Sequence, residues 1–366
     1  MIKKINYQKL FIICFCAGLI FSTQSSSLDR EVIDWDESTF AVISKSIING
    51  KILYVDSWDT KPPVLFYWMA LFIKILGSNI FAVRFSGDVL IFLTSFFLYK
   101  IIDKRYENHY LNILGCTFFI LLFNFNFAQP TLTELPGLFF LTLSIFIHKY
   151  NSKNTFANGF IIGLAIMSRT NLGFLIFAYL IIYLKDKFKF EKIFYFLTGS
   201  SVPFLLFGAY FFYKNAFINF LSGVFIEITY SSSTNKIEDF YNDVLVYKLK
   251  NFEFREAILI FIILITFYVI YQKNILLNLS DETIILLFLL LSIFLGRSLF
   301  YHYFIQTYTI LTILFIEVIY VINIKRITFL MIVFLFLLQF NLVFSGFQNI
   351  YNYQDISKNY PIKKIA

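Results

Sequence analysis

Apolar runs of nearly membrane-spanning length recur from one end of the chain to the other, and charged residues collect between them. The runs lie at about 10–21, 85–101, 111–128, 135–148, 156–168, 171–184, 193–213, 256–271, 283–296, 303–322 and 327–346. Hydrophobic residues make up 58% of the 366 positions and charged residues only 15%, whereas soluble domains carry about 25% charged residues. A soluble core has no use for so much apolar surface, and a disordered chain does not contain it. Since a helix crossing the hydrocarbon takes roughly 20 residues, the expected fold class is an all-α polytopic membrane protein with about eleven transmembrane helices. The first run is short, but no small-x-small cleavage site follows it, so it is read as an uncleaved helix rather than a signal peptide. The runs at 156–168 and 171–184 are also short, which implies tilt or partial re-entry.

The net charge of +8 would point to nucleic acid in a soluble protein. In a membrane protein, orientation comes first. With the N-terminus in the cytoplasm, the inner segments hold 15 Lys/Arg against 6 Asp/Glu, a net of +9. The outer segments hold 16 of each, and Glu317 sits within a span. Short basic loops on one side and neutral loops on the other follow the positive-inside rule, so no nucleic-acid partner is implied. Eleven spans put the C-terminus outside. Cys14, Cys16 and Cys116 all fall in apolar runs, and three such cysteines give neither a disulfide framework nor a metal spacing. No inverted repeat of the transporter type is visible. The whole chain, 1–366, is expected to be one membrane-embedded domain. Its two large outer loops would be 23–84 and 214–255, with no soluble domain after the last span.

The stretch 29–88 stands out. It holds all three tryptophans and eight of the 23 acidic residues. Asp34-Trp35-Asp36-Glu37 opens a helical pattern in which Phe40, Ile43 and Ile47 repeat at helical spacing, and Asn49-Gly50 supplies a stop. Such an amphipathic helix lies naturally in the membrane interface. Two readings of its acidic start stay open. Asp34 can be the N-cap, with Glu37 closing a capping box and Asp36 favoured by the helix dipole. Alternatively, a carboxylate at a helix end beside the bilayer can serve as a general base. Farther on, Lys61 is held in a polar turn closed by Pro62-Pro63. A lysine so placed suits a lipid phosphate, or it simply snorkels at a helix start.

Together these segments resemble a known family. Asp-Trp-Asp-Glu (34–37), Asn-Gly-Lys-Ile-Leu-Tyr (49–54), Trp-Asp-Thr-Lys-Pro-Pro (58–63), a run ending Leu-Gly (76–77) and Ala-Val-Arg-Phe (82–85) follow in order. The pattern looks like the first periplasmic loop of glycosyltransferase family 39 and its relatives, the protein O-mannosyltransferases and aminoarabinose transferases of the GT-C fold. The detailed likeness covers about 30–90. A later segment, Gly296 to Phe304, resembles the family's Arg-x-x-x-x-His-Tyr stretch through Arg297, Tyr301, His302 and Tyr303. Thr131-Leu132-Thr133-Glu134 lies in a tight outer loop, where a carboxylate is costly unless it faces water or a partner. Arg169, between two short spans on the same side, invites the same reasoning. His109 and His148 fall at cytoplasmic ends and receive no role.

The resemblance implies a sugar donor on a polyprenyl phosphate and a periplasmic acceptor that is a glycan, lipid or protein. It also implies a multi-pass protein of the bacterial inner membrane, surrounded by membrane lipids, with its site facing the periplasm. Asp36 would be the base, with Glu37 beside it in the catalytic pair. Lys61, Arg297, His302 and Arg84 would hold the donor phosphate. Glu134, Trp35, Tyr54, Trp58, Tyr301 and Tyr303 would bind sugar or acceptor. Inversion at the anomeric carbon is the family expectation, and neither metal nor cofactor is expected. The rival expectations are a polyprenyl-phosphate flippase or transporter, and a non-catalytic subunit that keeps the fold.

Overall fold

The structure, a computed structural model, describes residues 7–24, 27–28, 34–124, 128–150, 154–185, 190–233, 280–295 and 301–322. The apolar runs expected at 256–271 and 327–346, most of the loop 214–255, and Arg297 lie outside the described residues. Within them the chain is helical, with one isolated bridge between Leu53 and Ser57 and no strand. Each expected apolar run that is described falls on helix. These are α1 Tyr7–Gln24, α4 Ile80–Tyr106, α5 His109–Leu121, α6 Glu134–Tyr150, α7 Thr155–Ile166, α8 Phe174–Lys185, α9 Phe190–Tyr213, α11 Asp281–Leu295 and α12 Tyr308–Ile322. The outer loop adds α2 Trp35–Ile48 and α3 Val64–Leu76, and α10 Phe217–Ser233 follows α9.

Among the described residues, three helices are long and apolar enough to cross a membrane: Ile80–Tyr106, Phe190–Tyr213 and His302–Val321. The last of these joins the 3₁₀ segment Tyr301–Thr307 to α12. At 12 residues each, α7 and α8 reach only about 18 Å, short of a hydrocarbon core about 30 Å thick.

The helices run back and forth between two ends. At one end a charged clasp ties five of them together. Glu282, at the start of α11, accepts from Arg105 at 2.8 Å and from Lys149, and Arg105 also reaches Glu317 at 3.1 Å. Asp281 beside it meets His148 at 3.4 Å and Lys185 at 3.6 Å. Glu317, a carboxylate inside an apolar run, is thus paired as such a group must be.

Among the described residues, α7 and α9 meet backbone to backbone. Gly159 and Gly163 lie four apart on one face of α7, and a Cβ at either would overlap the backbone of α9 at Phe196 or Ser200. Gly199 returns the contact against Phe156. Small residues at this spacing let membrane helices approach backbone to backbone.

At the other end, α2 and α3 pack on each other over a separate apolar cluster. It includes Phe40, Ile43, Leu53, Phe66, Met69, Phe211 and Phe220. Phe40 meets Phe66 edge-on at 5.5 Å. Trp68 of α3 donates its indole N–H to the Ser86 carbonyl of α4 at 3.0 Å. This cluster is the floor on which the polar residues of the outer loop stand.

Candidate functional site

The acidic start of α2 splits into three fates. Asp34 is the N-cap, accepting from the Asp36 amide at 2.8 Å. Glu37 does not turn back to complete a capping box. It points inward, fully buried at 0% exposure, and takes the Arg84 guanidinium at 3.2 and 3.3 Å on Oε2. Its Oε1 accepts the Thr131 amide at 2.7 Å. Arg84, 2% exposed, also donates to the Ser27 carbonyl. A buried ion pair with this many hydrogen bonds is satisfied and holds α2, α4 and the 128–133 loop together. Glu37 and Arg84 therefore serve each other, rather than standing open toward a donor phosphate or an acceptor.

Asp36 faces the other way and keeps an open side. Surrounding protein still displaces water from its carboxyl, and with Asp34 and Glu134 nearby this pushes it above the usual carboxylate range. Lys61 and His302 pull against that shift. These electrostatic neighbours show what the fold gathers: Asp36 from α2, Lys61 from the Pro-Pro turn, Glu134 from the start of α6 and His302 from the segment before α12. Residues 34 to 302 meet at one end of the bundle.

Lys61 sits in a tightly held turn. Asp59 Oδ1 accepts the Lys61 amide at 2.9 Å, and Pro63 leads straight into α3, whose first amide, Val64, donates to the Met167 carbonyl at 3.1 Å. Asp59 was not among the expected site residues. Burial raises its carboxyl, opposed by the Lys61 amide and charge and reinforced by Asp36. Its place inside Trp-Asp-Thr-Lys-Pro-Pro was the signal that pointed to it.

Glu134 is buried and pairs with Arg169 at 2.5 Å, with His302 at 3.7 Å on the same oxygen. Arg169 donates to Thr133 Oγ1 at 2.9 Å and lies over the Tyr303 ring, 4.0 Å from its centroid. Arg169 thus joins the start of α6 to the 3₁₀ segment that carries His302. The expected aromatic residues divide. Trp35 and Trp58 are 83% and 55% exposed, open to a ring or to the interface. Tyr303 stacks with Arg169. Tyr54 is only 1% exposed, its ring packed against Phe211 and Phe220, so it is enclosed by protein rather than left open for a sugar. Tyr301 lies in the Tyr301–Thr307 segment.

Chemically, the cluster offers an exposed carboxylate with a raised proton affinity, a lysine beside it, and a histidine within reach of a buried ion pair. Such a set can supply a base next to groups able to receive an anion. Residues 60–211 match the family model described as dolichyl-phosphate-mannose-protein mannosyltransferase. The match covers less than half of the chain; it takes in Lys61, Arg84, Glu134 and Arg169, and it begins after Asp36 and ends before His302. No curated protein and no solved structure gives a match to the chain.

Proposed function

We propose that this chain, glycosyltransferase-family-39-like through residues 60–211, is a membrane glycosyltransferase of the mannosyltransferase type, with a polyprenyl-phosphate sugar as its donor. The family match carries the reaction class. The gathering of Asp36, Lys61 and His302 at one end of the bundle supports the placement of the site. The acceptor is a periplasmic glycan, lipid or protein, and the protein sits in the bacterial inner membrane with this end outward. About eleven apolar helices lie in the membrane in a GT-C-like arrangement, the short α7 and α8 tilted or partly re-entrant. A lipid-borne donor suits such a chain, because the substrate approaches sideways through the bilayer.

In this reading Asp36 takes the proton from the acceptor as its nucleophile attacks the anomeric carbon. The bond from that carbon to the lipid phosphate breaks on the opposite face, which inverts the centre. Lys61 receives the departing phosphate, with His302 and Arg297 sharing its charge. Fixed positive groups aimed at a developing anion in a water-poor site are worth several kcal/mol. Glu134, held by Arg169, orients the sugar or acceptor, and Trp35 and Trp58 are open to stack on a ring. The Glu37–Arg84 pair carries α2 so that Asp36 is presented, acting as support rather than as a ligand.

Purified protein in vesicles, given a labelled polyprenyl-phosphate mannose, separates the possible activities. Transfer to an acceptor or slow release of free sugar supports the proposal. Movement of intact donor between leaflets without release would instead make the chain a flippase. Neither outcome would leave a non-catalytic subunit.

A further inference from the structure

Tyr54 combines features that its place in a surface loop does not require. Its φ is +69°, a left-handed conformation that bulky residues rarely adopt. Such strain persists where the surroundings over-determine it. Its amide donates to the Ser57 carbonyl at 2.8 Å, closing the turn 54–57, and its carbonyl accepts from Asn219 Nδ2 of α10 at 3.4 Å. The ring lies 5.3 Å from that of Phe211 and 6.0 Å from that of Phe220. Its hydroxyl crosses the loop to donate to the Lys61 carbonyl at 2.7 Å.

Helix α10 comes unusually close at one point. A Cβ at Gly223 would stand 2.6 Å from Tyr54 Cε1 and 3.1 Å from the Asp59 carbonyl oxygen. Only a residue without a side chain lets α10 lie against both the phenol and the turn. The Lys61 backbone is thereby held twice, its amide by Asp59 and its carbonyl by Tyr54.

We propose that Tyr54 and Gly223 are positioning residues, a strut that sets the register of Lys61 from the surface of α10 and so decides how tightly the donor phosphate is held. The strut rests on the assignment of Lys61 to that phosphate. Loss of the Tyr54 hydroxyl removes one of the two backbone bonds that fix Lys61 just before Pro62-Pro63. The ammonium then samples positions in which its contact with a phosphate lengthens. Small misplacements of a binding group are costly out of proportion to their size.

The test uses the full chain in nanodiscs with polyprenyl-phosphate mannose as probe, measuring donor Kd and, separately, kcat. Tyr54→Phe keeps the ring and removes only the hydroxyl. Donor Kd should rise about threefold to tenfold, the range expected of one lost hydrogen bond, and kcat at saturating donor should fall as well, because Lys61 also receives the departing phosphate. Gly223→Ala should move Kd in the same direction. Gly18→Ala, at a position with nothing within 4 Å of the added carbon, should not. Because Kd is read from the folded fraction alone, partial loss of folded protein does not mimic the effect. If Lys61→Ala weakens binding while Tyr54→Phe binds as wild type, the strut is wrong and the Lys61 assignment stands. If Lys61→Ala binds donor normally, the assignment itself fails and the strut falls with it.

Discussion

Asp36 and Glu37 are adjacent carboxylates with opposite surroundings, and their variants should behave in opposite ways. Asp36 is open and sits above the usual carboxylate range, chiefly through loss of water. A base works only when deprotonated, so the transfer rate should fall as pH drops through that raised value. The acid limb of the pH–rate profile should therefore lie above the ordinary position near 3.8. Asp36→Asn should leave the protein folded. Glu37 is sealed against Arg84, and removing one partner leaves an unpaired buried charge, which costs about 3–5 kcal/mol. Arg84→Met should therefore lower the melting temperature sharply, as read by thermal unfolding in detergent, whereas Asp36→Asn should barely move it. The pattern Asp-Trp-Asp-Glu made these residues legible as candidates but did not separate their roles. A capping box and a buried ion pair both ask for Glu at that position, and Arg84 is 47 residues away. Tyr54 was legible as an aromatic suited to a sugar ring, not as a buried strut. Its positive φ and its bond across the loop arise from tertiary packing that no local spacing records.

Helix positions were readable because lipid demands apolar residues at nearly every position of a span, and each described run indeed lies on helix. What hydropathy does not encode is how close two helices come. The contact between α7 and α9 depends on Gly159, Gly163 and Gly199, whose small-residue spacing was present in the sequence but is silent in a count of apolar residues. Gly163→Leu would drive carbon into the Ser200 carbonyl and the Pro203 ring. Overpacking of this kind costs about 1–3 kcal/mol, so its melting temperature should fall, while Gly18→Leu on α1 should melt as wild type. Arg169 belongs to the same lesson. It sits in the turn after α7, and the site receives it only because α7 is held against α9 and so fixes where that turn lies.

Across the whole molecule, the polar ends of the bundle differ in kind. One end is a closed clasp of Arg105, Lys149, Glu282 and Glu317; the other carries the open carboxylate of Asp36. The excess of positive charge assigned to the inner loops predicts which end is which. In a background free of Cys14, Cys16 and Cys116, a cysteine at Asp56 should react with an impermeant reagent added outside intact cells. One at Tyr110, exposed near the clasp, should react only after permeabilisation. The reverse pattern would place the site in the cytoplasm and remove the periplasmic acceptor. The claim on which everything else depends is that Asp36 serves sugar transfer from a lipid phosphate. Purified wild-type and Asp36→Asn proteins of equal stability, given labelled polyprenyl-phosphate mannose at saturation, test it directly. Wild type should release or transfer the sugar, and Asp36→Asn should be slower by about 10²- to 10⁴-fold while still binding the donor. Equal rates in the two proteins would contradict it.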